Sequence, residues 1–173
     1  MDPDGCINAL ITGAAGGIGS AIASALVAGG RRVVLADIDI DAATALAQTL
    51  GESAFPLHLD VPDGAAVARL PQLIPEAFRP IDVLVNNAGH DVGGRTRFDA
   101  SIADEWTNII DTNLAGMMRV TRAILPEMVA RNRGDIVNMS SISAIRLVPD
   151  MAAYTASKAG VYAFTDILRA DLA

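Results

Sequence analysis

Five short runs of aliphatic and β-branched residues alternate along the chain with longer, alanine-rich stretches. The runs fall near 7–12, 32–37, 54–59, 81–86 and 134–140. Strands this apolar suit a parallel sheet that helices cover on both faces. The intervening stretches, near 17–29, 40–50, 63–77, 102–131 and 152–172, carry their apolar residues at helical spacing. Gly29-Gly30 and Gly51 mark two helix ends, where flexible residues close the last turn. Ser101, followed by Asp104 and Glu105, reads as a helix start with acids in the first turn, where the helix dipole favours negative charge. Trp106, Ile109, Ile110, Leu114, Met117 and Met118 then form a stripe that reads as core or subunit contact. The βαβα rhythm predicts a single α/β domain over 1–173, a doubly wound parallel sheet with helices on both faces. Its last helix has no closing Gly, Asn or Pro, and strand 134–140 would form a bare apolar edge. Both features predict a chain that stops inside a larger fold and lacks that fold's last strands.

Composition narrows the function classes. Hydrophobic residues make up 51% and charged residues 19%, which argues against disorder. The net charge is −7, and the basic residues are one Lys and scattered Arg, so a nucleic-acid surface is not expected. No apolar run approaches the roughly 20 residues of a membrane span. The acidic start, Met1-Asp2-Pro3-Asp4, does not read as a signal peptide, and a cytoplasmic protein with no membrane partner is expected. The single cysteine, Cys6, cannot form an internal disulfide and reads as a small apolar filler. It has no companions of metal-ligand type, so no metal is expected.

The turn between the first run and the first helix reads Thr12-Gly13-Ala14-Ala15-Gly16-Gly17-Ile18-Gly19. Glycines there permit a tight turn, clear space for a pyrophosphate and let the helix pack on the strand. The helix N-terminus offers unpaired N–H groups to the phosphates. Alone, a glycine-rich turn is weak evidence. The second run, however, ends in Asp37, 18 residues beyond Gly19. A carboxylate at that place can accept from both ribose hydroxyls and would repel a 2′-phosphate. Ala15 and Ile38 place no cation there, so NAD is expected in preference to NADP. The alternative for Asp37 is a strand-end turn residue or a helix cap.

Further along come Asn86-Asn87-Ala88-Gly89, Asn113, Ser140-Ser141 and Tyr154-Thr155-Ala156-Ser157-Lys158. Tyr154 and Lys158 are four apart, so a helix presents them on one face. A free tyrosine, with a pKa of about 10, is a poor base near neutrality. A neighbouring ammonium favours the phenolate, which could then remove an alcohol proton. Without other motifs, the pair reads in preference as an exposed Tyr and Lys on an amphipathic helix. In order and spacing, these motifs together with Gly13, Gly17 and Gly19 resemble the main branch of the short-chain dehydrogenases/reductases. The resemblance runs from about residue 7 to the last residue.

That resemblance implies a Rossmann-like fold and a secondary alcohol–carbonyl interconversion by hydride transfer, with a small alcohol or carbonyl substrate. It implies Tyr154 as acid/base, and Lys158 both beside the phenol and holding the nicotinamide ribose. Ser141, 13 residues before Tyr154, would polarise the carbonyl, with Ser140 facing the other side. The main chain of Asn113 would help place a water that joins Lys158 to solvent, the alternative being a helix-distorting Asn with a packing role. Gly13, Ala15, Gly17, Ile18, Gly19 and Asp37 would hold the dinucleotide, Asp60 and Val61 its adenine, and Asn87, Ala88 and Gly89 its adenosine ribose. His90 and Asp91 read as pocket rim, and His58 as packed or surface. Members of the branch continue with a strand ending in Pro-Gly, a substrate loop and a further strand. The helices matching 102–131 and 152–172 imply a homodimer or homotetramer. Two other functions stay open: an inactive nucleotide-binding fragment, and a dimerising scaffold that acts through those helices.

Overall fold

The computed structural model describes residues 7–91, 95–102, 104–146 and 148–173, so Cys6 and the acidic start lie outside the described residues. Five parallel strands form one sheet: β1 (Asn8–Thr12), β2 (Arg32–Asp37), β3 (Ala54–His58), β4 (Val83–Asn86) and β5 (Asp135–Asn138). Their order across the sheet is β3-β2-β1-β4-β5. The chain therefore winds outward from β1 in one direction and then crosses over to build the other half. Ligands bind such sheets at the carboxyl ends of the strands, where the winding reverses. The register aligns those ends, pairing Thr12 with both Ala36 and Asn86, and Asn86 with Asn138.

Alternation along the buried strands feeds two cores. Leu10, Val34 and Leu84 point to one face, where they meet Val67 and Leu70 of α3 (Gly64–Leu73) and Val120, Ile124 and Met128 of α5 (Met117–Arg131). Ile11, Val33, Leu35 and Val85 point to the other face, against Ala23 of α1 (Gly17–Ala28) and Ala43 and Ala47 of α2 (Ile40–Leu50). Alanines on the second face let α1 and α2 approach closely, which explains the alanine-rich composition. α6 (Ala152–Asp171) packs on α4 (Glu105–Ile110) and reaches β5.

Two expected helices differ in detail. The one predicted over 63–77 ends at Leu73, because Ile74 is extended (φ −76°, ψ 123°) as residues before proline tend to be, and Pro75 follows. The one predicted over 102–131 is not a continuous α-helix. Between α4 and α5, residues Asp111–Gly116 form a π-helical segment, a wider turn that occurs at functional sites. Gly116 permits it: a Cβ there would come within 2.7 Å of Val61 Cγ2. Among the described residues no helix is long and apolar enough to cross a membrane, and no metal-binding cluster is present.

At the end of the sheet remote from the strands' carboxyl ends, Asp82 is 7% exposed and joins three segments. It accepts from Arg131 Nη1 at 2.9 Å and from the Asn8 N–H at 3.2 Å, while Arg131 Nη2 donates to the Ile81 carbonyl at 2.6 Å. Removing the carboxylate leaves two donors unmatched. Asp82→Ala is expected to destabilise the chain by about 2–4 kcal/mol. A thermal or urea melt of the two proteins checks this, and equal midpoints would refute it.

Candidate active site

The turn after β1 is built around backbone proximity. Gly13 has φ +63°, and a Cβ on it would lie 2.9 Å from Ala88 Cα. A Cβ on Gly19 would overlap the Gly13 carbonyl. Asn87 Nδ2 donates to the Thr12 and Gly13 carbonyls at 3.1 and 2.9 Å, and Thr12 Oγ1 accepts the Asn87 and Ala88 N–H groups at 3.1 and 3.0 Å. Asn87, Ala88 and Gly13 are thus locked together as one wall. Helix α1 starts with no side-chain cap, so its first-turn N–H groups remain available to an anion. Ile18, 61% exposed, stands beside Gly17 and Gly19 at that helix end. These residues fit a dinucleotide pyrophosphate: the glycines clear the approach and the helix end supplies donors.

Asp37 is 8% exposed, and both its oxygens are engaged. One accepts from the Ala15 N–H at 2.8 Å and the other from the Asp39 N–H at 3.0 Å. Its carboxylate therefore braces the glycine turn against the end of β2. Asp60 is half-buried after β3, while the Val61 side chain turns inward against Gly116. His58 is exposed at the end of β3.

The other half of the site gathers around Asn113, which is 1% exposed in the π segment. Its Oδ1 accepts the His90 N–H at 2.9 Å, and its Nδ2 donates to the His90 carbonyl at 2.9 Å and to Ser157 Oγ at 3.2 Å. Ser157 Oγ in turn donates to the Tyr154 carbonyl at 2.7 Å. His90 Nε2 and Thr112 Oγ1 are 3.2 Å apart, a second tie between the same two segments. The polar roles of Thr112, Ser143 and Ser157 have no counterpart in the sequence reading. Only the position of Ser157, three residues after Tyr154 on one helix face, could have signalled its role.

Lys158, the only lysine of the chain, is 6% exposed. Its Nζ donates to the Met139 carbonyl at 2.8 Å and lies 5.8 Å from the centre of the Tyr154 ring. A Cβ on Gly89 would be 3.3 Å from the same Nζ. Ser140 Oγ donates to the Lys158 carbonyl at 2.9 Å, fastening the end of β5 to α6. Ser141 instead opens the turn Ile142–Ala144, its Oγ accepting from the Ser143 N–H and hydroxyl at 3.2 and 3.0 Å. The structure thus brings Gly89, Asn113, Tyr154, Lys158 and the serine pair together at the carboxyl end of β4 and β5, next to the glycine turn after β1. A small cleft beside Tyr154 is lined by Asp91, Phe98, Glu105, Trp106, Asp150 and Met151.

With this geometry in place, comparison with known proteins gives the class. The short chain dehydrogenase family matches residues 8–173, and the chain belongs to that family. It is 39% identical over 165 residues to a probable NADP-dependent dehydrogenase of Haemophilus influenzae, and 40% identical over 163 residues to an NADP-dependent 3-hydroxy acid dehydrogenase of Salmonella typhi. These alignments take in 95% and 94% of the chain but 65% of either relative's length. Among solved structures it superposes on the closed form of a serine dehydrogenase complexed with NADP+, with a TM-score of 0.92 and 34% identity, covering 95% of this chain and 66% of that one. The expected preference for NAD over NADP is overturned by these findings: both relatives are named as NADP-dependent, and the solved neighbour holds NADP+. The expectation rested on Asp37, each of whose oxygens accepts one backbone N–H, from Ala15 and from Asp39.

Burial lowers the Lys158 pKa from its ordinary value of 10.5, because desolvation penalises the ammonium. At pH values below the folded pKa both states carry the proton and the burial cost is complete. Above 10.5 neither does. Between the two, the unfolded chain binds more protons, so this group makes stability rise with pH. The melting temperature of the unchanged chain, relative to Lys158→Met, is expected to climb across that window. A flat difference would refute the assignment.

Proposed function

We propose that this chain is the dinucleotide-binding and catalytic part of an oxidoreductase that interconverts a secondary alcohol and a carbonyl compound, with NADP(H) as the hydride carrier. The observation that carries the reading is the buried ammonium of Lys158 beside the Tyr154 ring, at the carboxyl end of the sheet that also holds the glycine turn. When bound, the dinucleotide supplies a hydride donor or acceptor. Gly13, Ala15, Gly17, Ile18 and Gly19 would seat its pyrophosphate, Asp60 and Val61 its adenine, and Asn87, Ala88 and Gly89 its adenosine ribose, with Asp37 shaping the turn from behind. The NADP dependence is carried over from the named relatives.

Tyr154 moves the proton. In the reducing direction its phenol gives a proton to the substrate oxygen as negative charge develops there, and in the oxidising direction the phenolate takes the hydroxyl proton. The neighbouring Lys158 ammonium stabilises the phenolate. Ser141 donates a hydrogen bond to the substrate oxygen, aimed at charge that appears only as the reaction proceeds. Asn113 fixes the π segment and through Ser157 the start of α6, so it positions Tyr154 and Lys158. A cytoplasmic setting fits a chain with a single cysteine.

The outer faces of α5 and α6 carry the proposed self-association as a homodimer or homotetramer. Met118, Val129, Tyr162 and Ile167 are exposed there, and an apolar groove between α3, α5 and α6 is lined by Met118, Pro126 and Phe164. Light scattering is expected to give at least twice the 17.9 kDa chain mass. A mass of one chain would remove this part.

The decisive experiment follows NADPH oxidation with a panel of ketones and β-keto acids. Turnover is expected, and Tyr154→Phe is expected to lower it by about 100- to 10,000-fold. NADPH binding by calorimetry without turnover would replace the reading with a nucleotide-binding fragment. Neither binding nor turnover would leave only a scaffold.

A further inference from the structure

A hydroxyl has one proton to give and two lone pairs to fill. The two serines at the end of β5 use them oppositely. Ser140 gives its proton to the Lys158 carbonyl at 2.9 Å, which leaves it none for a substrate. Ser141 Oγ accepts the Ser143 N–H at 3.2 Å and shares a 3.0 Å contact with the Ser143 hydroxyl. With the Ser143 hydroxyl as donor, both lone pairs of Ser141 are filled, and among the described residues no group other than that hydroxyl stands to accept the Ser141 proton.

Ser143 is 4% exposed, and among the described residues its hydroxyl has no partner except Ser141 Oγ. The N–H half of the contact is an ordinary serine turn, in which a hydroxyl accepts from the backbone two residues on. Any residue at 143 except proline would keep it. The hydroxyl half requires a hydroxyl side chain and adds nothing the turn needs.

We infer that Ser143 is a positioning residue for the reaction: by filling the second lone pair of Ser141, it leaves the Ser141 proton free only for the substrate oxygen. The inference rests on the alcohol–carbonyl reading above. Two consequences support it chemically. Without Ser143, the Ser141 hydroxyl could rotate and accept from an alcohol substrate, which opposes the charge that forms during the reaction. With Ser143 donating, the Ser141 O–H is polarised and becomes a stronger donor, as in chained hydrogen bonds generally. Substrate binding in the ground state gains little from either effect. The consequence falls on kcat, not on KM.

The test measures NADPH-dependent ketone reduction by the full chain and its variants. Ser143→Ala is expected to lower kcat about tenfold, the scale of one hydrogen bond lost in the transition state, with ketone KM and NADPH affinity within about twofold. Ser143→Thr, which keeps the hydroxyl, is expected to restore most of the rate. In a Ser141→Ala background, Ser143→Ala is expected to have no further effect, because the residue through which it acts is gone. An unchanged kcat in Ser143→Ala, an equal loss in the Ser141→Ala background, or no rescue by threonine would each overturn the inference. A Ser143→Ala chain that fails to fold would make the residue structural and overturn it too. If the unchanged chain turns over no ketone, the alcohol–carbonyl reading itself fails and takes this inference with it. Turnover that is indifferent to Ser143→Ala removes the inference alone.

Discussion

The side-chain amide of Asn113 is 1% exposed, in surroundings where an unmade hydrogen bond costs about 1–3 kcal/mol. It meets that demand by reaching three ways: twice to the His90 peptide and once to Ser157. The turn after β4, the π segment and the start of α6 are thereby held in one arrangement. Because Ser157 also bonds the Tyr154 carbonyl, the reach extends to the first turns of the helix that carries Tyr154 and Lys158. A straight α-helix over 105–131 would rotate everything beyond Asn113 relative to that turn. The wider π turn carries Asn113 and ends at Gly116, which lies against Val61.

Close approach is the second recurring condition. Gly13 and Gly19 allow the turn after β1 to lie against its own backbone and that of Ala88, and Gly116 lets the π segment sit on Val61. Gly89 leaves room for the Asn113 amide and the Lys158 ammonium on either side. In each case the missing side chain makes space for a polar group or for another stretch of backbone. The desolvated cation of Lys158 is stabilised in the same region by the Met139 carbonyl and the Tyr154 ring. Polar side chains deeper in the sheet continue the tie: Asn86 donates to Thr121 and Asn138, and Asn138 donates to Thr165 on α6.

Much of this was readable along the chain. All five strands fall where the apolar runs put them, and β1, β2 and β4 do so because burial on both faces of a parallel sheet writes itself as a continuous apolar run. The glycine turn and the Tyr154–Lys158 spacing were legible for the same reason: each depends on residues a few positions apart. Helix ends were less legible. Leu73 closes α3 early because of Pro75, and the π segment depends on a contact with Val61, some fifty positions upstream.

The role of Asp37 shows where local reading stops. From spacing alone, an acid at the end of β2 could face a ribose, cap a helix or brace a turn. Packing of the glycine turn against β2 brings the Ala15 N–H within 2.8 Å of the carboxylate, so that it braces the turn. Ser140 and Ser141 are adjacent and chemically identical, yet one gives its proton to Lys158 and the other accepts from Ser143. Periodicity and motif spacing were sufficient for the strand positions, the glycine turn and the tyrosine–lysine pair, since these are properties of neighbouring residues. What the Asp37 carboxylate braces, which carbonyl Ser140 bonds and where the long helix distorts came from contacts between segments far apart in the chain. Such contacts exist only once the strands and helices are packed together.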